Sequence, residues 1–540
     1  MFHPSERIAI ATLDRPASST DWLRVVEGLH AEPGFWWLDS ALEDGRLGRR
    51  SFAGADPYLR LTARDGEVEI DVRRTVRKGL DRGFHRFEAD PVETTRSLLP
   101  RADSLVYSTR TSSASGNRRW HEVAGLSAGL DLPFLGGAVG YVGYELGGTF
   151  EKRIRHENED DLGMPDLALS FVDRVLAYDH EEDRLWVVGL GFGSGHSTSD
   201  EGPRAAAVAR SRHAVDELAR QVEWILAEGP RGVGRKPQDA QASVVTPVAE
   251  RSGAESRLGP EVESTVDPSA YIKAVDVVLE EIAQGNVYQA NFSQRLKMPL
   301  PSDPWSLYGS LRKHNAAPFG AYLSLPDAAI LSSSPERFLR VDESRRIESR
   351  PIKGTRPRGA DEVEDERLAR ELGTSIKDRA ENLMIVDLVR NDLGRVCVPG
   401  TITVPELMKI ESYAAVFQMV STVTGELATG RDAFDLLRAS FPPGSMTGAP
   451  KLAAIELIEQ LESVRRGVYA GALGYFDVRG GLDLSVVIRT IVCKDGHAHL
   501  HVGGGIVADS SPEAEYLESL DKAKAPLAAL SEARAGASDS

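Results

Sequence analysis

The chain has 540 residues, with 64 Lys and Arg against 81 Asp and Glu, a formal net charge of −17. An acidic chain without a basic block lacks the positive footprint that nucleic acid or an anionic membrane requires, which argues against both as the main partner. At 41% hydrophobic and 27% charged, the composition is that of a folded globular protein able to bury a large core.

In chain order, MFHPSERIAIATLDRP has no basic segment followed by an apolar one, and nowhere do about 18 apolar residues run together. A cytoplasmic protein is therefore expected. Residues 1–190 read as strand-rich α+β. GGAVGYVGYE, 136–145, suits close backbone approach, and LSFVDRVLAYDHEEDRLWVVGL, 169–190, reads as a hairpin around the polar turn His180 to Asp183. Residues 191–266 depart from this texture: a Gly/Ser-rich start, an amphipathic helix over 205–229, and from 230 a Gly-, Pro-, Ser- and Glu-rich stretch expected to be a flexible linker. This region reads as a charged insertion.

From 267 to 530 the reading is a second α+β region. A helix over 268–285 leads into an alternating strand, VYQANFSQRLKM, and AYLSL and ILSSS flank a turn at Pro326 and Asp327. Helical stretches cover 361–393 and 449–463. GALGYFDV, LSVVIRTIV and HLHVGGGIV read as strands before the closing helix PEAEYLESLDKAKAPLAAL, and 531–540 reads as a frayed tail. No Gly-rich loop opens a βα unit, so no nucleotide motif is present. Cys397 and Cys493 sit among β-branched residues and are expected to pack as small apolar groups.

Three groups of residues carry chemistry. Asp378 and Glu381, and again Glu515 and Glu518, stand three apart on helices with Lys522 four residues beyond Glu518; such faces could meet around a hard cation. Lys353 stands in the turn of SRPIKGTRPRG, where an apolar or cationic setting would make it an amine nucleophile; an exposed turn lysine is the alternative. Thr447, Tyr469, Arg489 and Gly505 supply hydroxyl, guanidinium and backbone donors of the kind that bind a small dianion. Arg489, inside an expected apolar strand, needs an anionic partner, either structural or a ligand.

YQANFSQR, SSPERFL, RPIKGTRPRG, KDRAENLMIVDLVRNDLGRV, FPPGSMTGAPK, GVYAGALGYF and GGGIVADSSPEAEYLESLDKAKA stand in the order found in the chorismate-utilising enzymes. The chain resembles that family from about 285 to 525. FWWLDS, SFAGADP and GGAVGYVGYEL are similar to the amino-terminal region of its glutamine-dependent members. The resemblance implies an α+β fold like that of anthranilate synthase component I, with two large antiparallel sheets packed face to face, helices outside and the active site between them. It also implies Mg²⁺ on Glu381 and Glu518, with Asp378 and Glu515 close by through water. Arg489 and Tyr469 would take the enolpyruvyl carboxylate with the backbone of Gly503, Gly504 and Gly505. Gly354, Thr355, Thr447 and Lys522 would line the pocket, and Glu336 would protonate the leaving 4-hydroxyl, which requires a raised pKa.

Within the family, Gln289 stands where the isochorismate and salicylate synthases place a water-activating lysine, which points to ammonia. Lys353 stands where anthranilate synthases typically have alanine, as in the aminodeoxychorismate synthases. The resemblance therefore implies the component I activity of the latter, on the route to 4-aminobenzoate and folate, with a covalent lysine intermediate. Gln418 departs from a histidine found in many members. Neither cysteine sits in a Gly-x-Cys-x-Gly elbow, so ammonia would come from a separate glutamine amidotransferase subunit, component II. Asp39 and Ser40, with Pro318, Phe319 and Gly320, resemble a tryptophan pocket of relatives. The alternatives are anthranilate synthase component I and a non-catalytic chorismate-binding partner.

Overall fold

A computed structural model of the chain describes residues 6–41, 47–77, 79–99, 105–111, 120–123, 131–194, 201–228, 258, 261–413 and 416–538. Among these, one sheet has fourteen strands and the other twelve. Strands from both ends of the chain enter both sheets. In the larger sheet Phe319–Ser324 pairs with Trp36–Asp39, and in the smaller sheet Ala472–Asp477 pairs with Gly137–Val142. At that second seam the backbones come so close that a Cβ on Gly137 would run into the Phe476 carbonyl, and on the strand's other side a Cβ on Gly140 would run into the Ala168 carbonyl, which accounts for these glycines of GGAVGYVGYE. The sheets are antiparallel throughout except where Glu6–Pro16 runs parallel to Leu105–Thr111.

The inner faces of the two sheets make one core. Phe52 from the larger sheet and Tyr475 from the smaller meet around Phe134, with ring centroids 5.8 and 4.5 Å from it, and such pairs add about 0.5–1.5 kcal/mol to area burial. A second core covers the outer face of the larger sheet. It is built from the helices Ser19–Leu29, Glu201–Glu228, Pro304–His314 and Pro512–Ser538.

Several elements differ from their sequence reading. The stretch 169–190 supplies a true hairpin, Arg174–Asp179 with Arg184–Ser194, but its first residues belong to Leu167–Val172 in the other sheet. LSVVIRTIV is two strands: Leu482–Val486 lies in the smaller sheet and Thr490–Lys494 in the larger, with Arg489 at φ +51 between them. An unbroken β-rich run hides this because propensity does not report a change of sheet. The helix at 361–393 divides at Ser375, whose hydroxyl accepts from the Asp378 N–H and starts Ile376–Gly394. The helix within the expected insertion buries Val215, Leu218, Val222 and Ile225 against Trp22 and Val25, so it is part of the body. Of the expected linker, 230–257, 259 and 260 lie outside the described residues, and Glu263–Ser264 already pairs with Gln289–Pro299. Pro512–Ser538 remains helical through most of the expected frayed tail.

Candidate active site

The chemistry-bearing residues gather where the edge strands of the two sheets meet two helices. Ile352–Pro357 is an edge strand of the smaller sheet, and Gln289–Pro299 and His497–Ile506 lie near an edge of the larger. Ile376–Gly394 and Pro512–Ser538 bring the carboxylates.

Lys353 Nζ donates to the Ser445 carbonyl at 3.3 Å and would lie 3.2 Å from a Cβ on Gly505; the same Cβ would collide with the Gln289 amide. Only glycine leaves this space open. Gln289 is fully buried and neither of its amide atoms has a hydrogen-bond partner. Such atoms are costly to leave unmade. Glu336 is buried beside Ser445, and burial pushes its carboxyl up to about 7 against the pull of the Ser445 hydrogen bond and of Lys353. A carboxyl so placed holds a proton near neutral pH. A small cavity of about 20 Å³ lies behind it, lined in part by Glu336, Ser445, Asp392 and Ser440. A cavity of about 420 Å³ beside Arg340, Glu343 and Arg479 contains none of these residues.

Arg489 is the outlying charge. Burial alone pushes its guanidinium down, and among the described residues no carboxylate or carbonyl meets its side chain. Only its own carbonyl is used, by the N–H and hydroxyl of Ser333. Tyr469 is buried and stacks on His501 at 4.9 Å. Thr447 is buried with its hydroxyl 3.3 Å from the Pro443 carbonyl, while Thr355 is exposed and pairs in register with Gln418.

Among the described residues no three acidic, histidine or cysteine groups converge as a ready metal cage. Each of three carboxylates is turned to its own cation. Arg356 holds Asp378 at 3.0 Å, Lys377 holds Glu515 at 3.1 Å, and Lys522 holds Glu518 at 2.9 Å while also donating to the Gly503 carbonyl. Lys522 keeps the Glu518 carboxyl below its usual range. Glu515 also accepts from Ser510 at 2.6 Å. Glu381 differs: desolvation pushes it up, and among the described residues neither hydrogen bond nor ion pair reaches it. Around Gly504 the Glu515 and Glu518 carboxylates and the Lys522 ammonium come together. Gly354 has φ +85, and a Cβ there would sit 2.9 Å from the Asp378 side chain.

The residues read as a possible tryptophan pocket also adjoin one another and bond to the protein's own groups. Arg312 Nε meets the buried Asp39 carboxylate at 2.6 Å, with the Tyr308 hydroxyl at 3.3 Å. Ser40 bonds to Ser51 and the Arg50 carbonyl. Gly320 pairs with Asp39, Pro318 is buried, and Phe319 lies under the Arg337 guanidinium. Lys377, Arg356, Ser445 and Arg312 were not found from sequence. Lys377 and Arg356 lie inside quoted motifs, but their partners lie on other elements. Cys397 and Cys493 are both buried, with burial pushing their thiols up to about 11 and about 12.

Residues 84–528 match the family model of the chorismate binding enzymes. The chain is 42% identical over 78% of its length to an aminodeoxychorismate synthase of Streptomyces pristinaespiralis, of which it spans 54%. It is 38% identical to aminodeoxychorismate synthase component 1 of Salmonella typhimurium, covering 81% of this chain and 88% of that protein. Anthranilate synthase component 1 of Thermus thermophilus is 40% identical over 99% of both chains. The crystal structure of anthranilate synthase component I from Streptococcus pneumoniae superposes with a TM-score of 0.68 at 26% identity, covering 88% of this chain and 92% of that one.

Proposed function

The chain belongs to the chorismate-binding enzyme family, and from that premise we propose that it is component I of an aminodeoxychorismate synthase, converting chorismate and ammonia to 4-amino-4-deoxychorismate. That it is a chorismate-utilising enzyme follows from the family; the amination at C4 is the proposal. The observation that carries it is Lys353, an amine in the site beside Gly505 and Ser445, with no second lysine at Gln289 to activate water.

In this reading Arg489, desolvated and without a counter-ion among the described residues, takes the enolpyruvyl carboxylate with Tyr469 and the backbone of Gly503 to Gly505, and Gly354, Thr355, Thr447 and Lys522 complete the wall. Glu336, protonated near neutral pH because it is buried, gives its proton to the 4-hydroxyl, which leaves as water while the Lys353 amine bonds to C2. Ammonia then bonds to C4, the C2–nitrogen bond breaks, and its electron pair returns to Lys353. Two allylic displacements replace one harder step. The Gln289 amide cannot act as a base.

The donor set fits a hard divalent cation: oxygen ligands on two facing helices, one of them Glu381, which has no hydrogen bond or ion pair among the described residues. Glu381 and Glu518 would hold Mg²⁺, with Asp378 and Glu515 behind them. When bound, the ion supplies positive charge for the ring carboxylate and for charge leaving C4. Ammonia would come from a glutamine amidotransferase subunit, a reading supported by the component 1 name of the Salmonella relative and by two buried cysteines with raised thiols. A cytoplasmic location is the corresponding proposal; among the described residues no helix is long and apolar enough to cross a membrane.

A second reading, anthranilate synthase component I, is favoured by the Thermus relative, whose match runs over 99% of both chains. The product formed from chorismate, Mg²⁺ and ammonium salt decides between them. A 4-amino product without pyruvate is expected, and anthranilate with pyruvate would establish the second reading. Lys353→Ala is expected to abolish the 4-amino product; unchanged turnover would remove the covalent role.

A further inference from the structure

Lys377 is absent from the site as read from sequence, yet it bridges the two helices that carry the carboxylates. It stands next to Asp378 on Ile376–Gly394, and its ammonium lies 3.1 Å from Glu515 Oε1 on Pro512–Ser538. Ser510 occupies the same Glu515 oxygen at 2.6 Å, and the Glu381 and Glu518 carboxylates act on the same ammonium. The other two cations of the cluster are anchored twice. Arg356 also bonds Glu371, and Lys522 also donates to the Gly503 carbonyl. Among the described residues Lys377 has Glu515 alone as a hydrogen-bond partner, and its side chain, 38% exposed, has solvent to move into.

A group of carboxylates this close repels itself unless a cation stands among them. A divalent ion reaching Glu381, Glu515 and Glu518 would in turn be repelled by an ammonium held at the same oxygens. We propose that Lys377 is a built-in counter-ion: it ties the two carboxylate helices together in the metal-free protein, is displaced when a divalent cation enters, and thereby sets that cation's affinity. The inference rests on the magnesium reading above. It makes Lys377 a positioning residue, acting through the carboxylates.

The test is Mg²⁺ titration by calorimetry of the whole chain without chorismate, on wild type, Lys377→Met, Lys377→Arg and Arg379→Met. Arg379 is an exposed cation on the same helix whose guanidinium bonds the Gly373 carbonyl. Lys377→Met should bind Mg²⁺ at least about tenfold tighter and melt at a lower temperature without the ion, whereas Lys377→Arg and Arg379→Met should stay near wild type. A residue with a merely structural role would weaken binding when removed. Equal or weaker binding by Lys377→Met overturns the proposal, and wild type that binds no Mg²⁺ overturns the magnesium reading instead. Should Lys377→Met not fold, acetic anhydride labelling of wild type read by mass spectrometry gives the answer: Lys377 should become more reactive when Mg²⁺ is added, and unchanged reactivity overturns the displacement.

Discussion

Arg466 and Arg489 lie on either side of one hairpin, Ala472–Asp477 with Leu482–Val486, and the protein treats them in opposite ways. Arg466 is clasped by Glu462 through two bonds of 2.7 and 2.8 Å, donates to the carbonyls of Met446 and Asn291, and lies over the Tyr144 ring at 4.7 Å. Arg489 is desolvated without a partner for its side chain among the described residues. The same contrast separates Asp39, met by Arg312, from Glu381, which among the described residues has neither a hydrogen bond nor an ion pair. A buried charge that is fully satisfied is part of the fold, while one that is desolvated and left unpaired is held open for a ligand, because the fold gains nothing from it. By that criterion Arg466 belongs to the fold, and Arg489 and Glu381 are the charges kept for the proposed ligands.

The largest effect should come from Arg466→Met, which strands Glu462 in the core and should cost about 3–5 kcal/mol in denaturant unfolding; a loss under about 1 kcal/mol would mean that Arg466 is not structural. Next is the pH dependence of stability. The folded Glu336 carboxyl keeps its proton to about 7, against an ordinary value of 4.5, so between those values the folded state binds more protons than the unfolded chain. Stability should therefore fall as pH rises through this window, by about 3 kcal/mol for a fully buried group. Glu145, also pushed up to about 7 by burial, acts in the same direction, so Glu336→Gln should remove one share of the fall and Glu145→Gln another; an unchanged slope in both would show that neither carboxyl is desolvated. Arg489→Met should leave the melting temperature unchanged or higher while raising the KM for chorismate about 10- to 100-fold, as the loss of charge-assisted bonds implies. Destabilisation with an unaltered KM would place Arg489 with Arg466. Smallest is Gly354→Ala, where a positive φ and the neighbouring Asp378 side chain should cost about 1–2 kcal/mol, read from urea midpoints; no change would mean that the strand relaxes freely.

Much of the site was legible in the sequence because its residues sit in segments with strong local order. Asp378 and Glu381 share a helix turn, Gly503 to Gly505 lie at the end of a strand, and Lys353 stands two residues after Pro351. Arg489 was identified as a charge needing an anion, but it was read inside a strand, whereas it occupies the corner where the chain passes from one sheet to the other. The helix at 201–228 read as part of an insertion because its apolar positions have no visible partner until the larger sheet lies beneath them.

Sequence alone determined most of the elements, their order and the residue types able to do chemistry, since helical and strand periodicity and turn residues act over a few neighbours. Tertiary structure decided which charges are paired. Lys377 has no partner visible in the sequence until Glu515, 138 positions later, meets it, and Asp39 has none until Arg312 reaches it. Electrostatic pairing and desolvation depend on distance in space, and chain separation does not encode it.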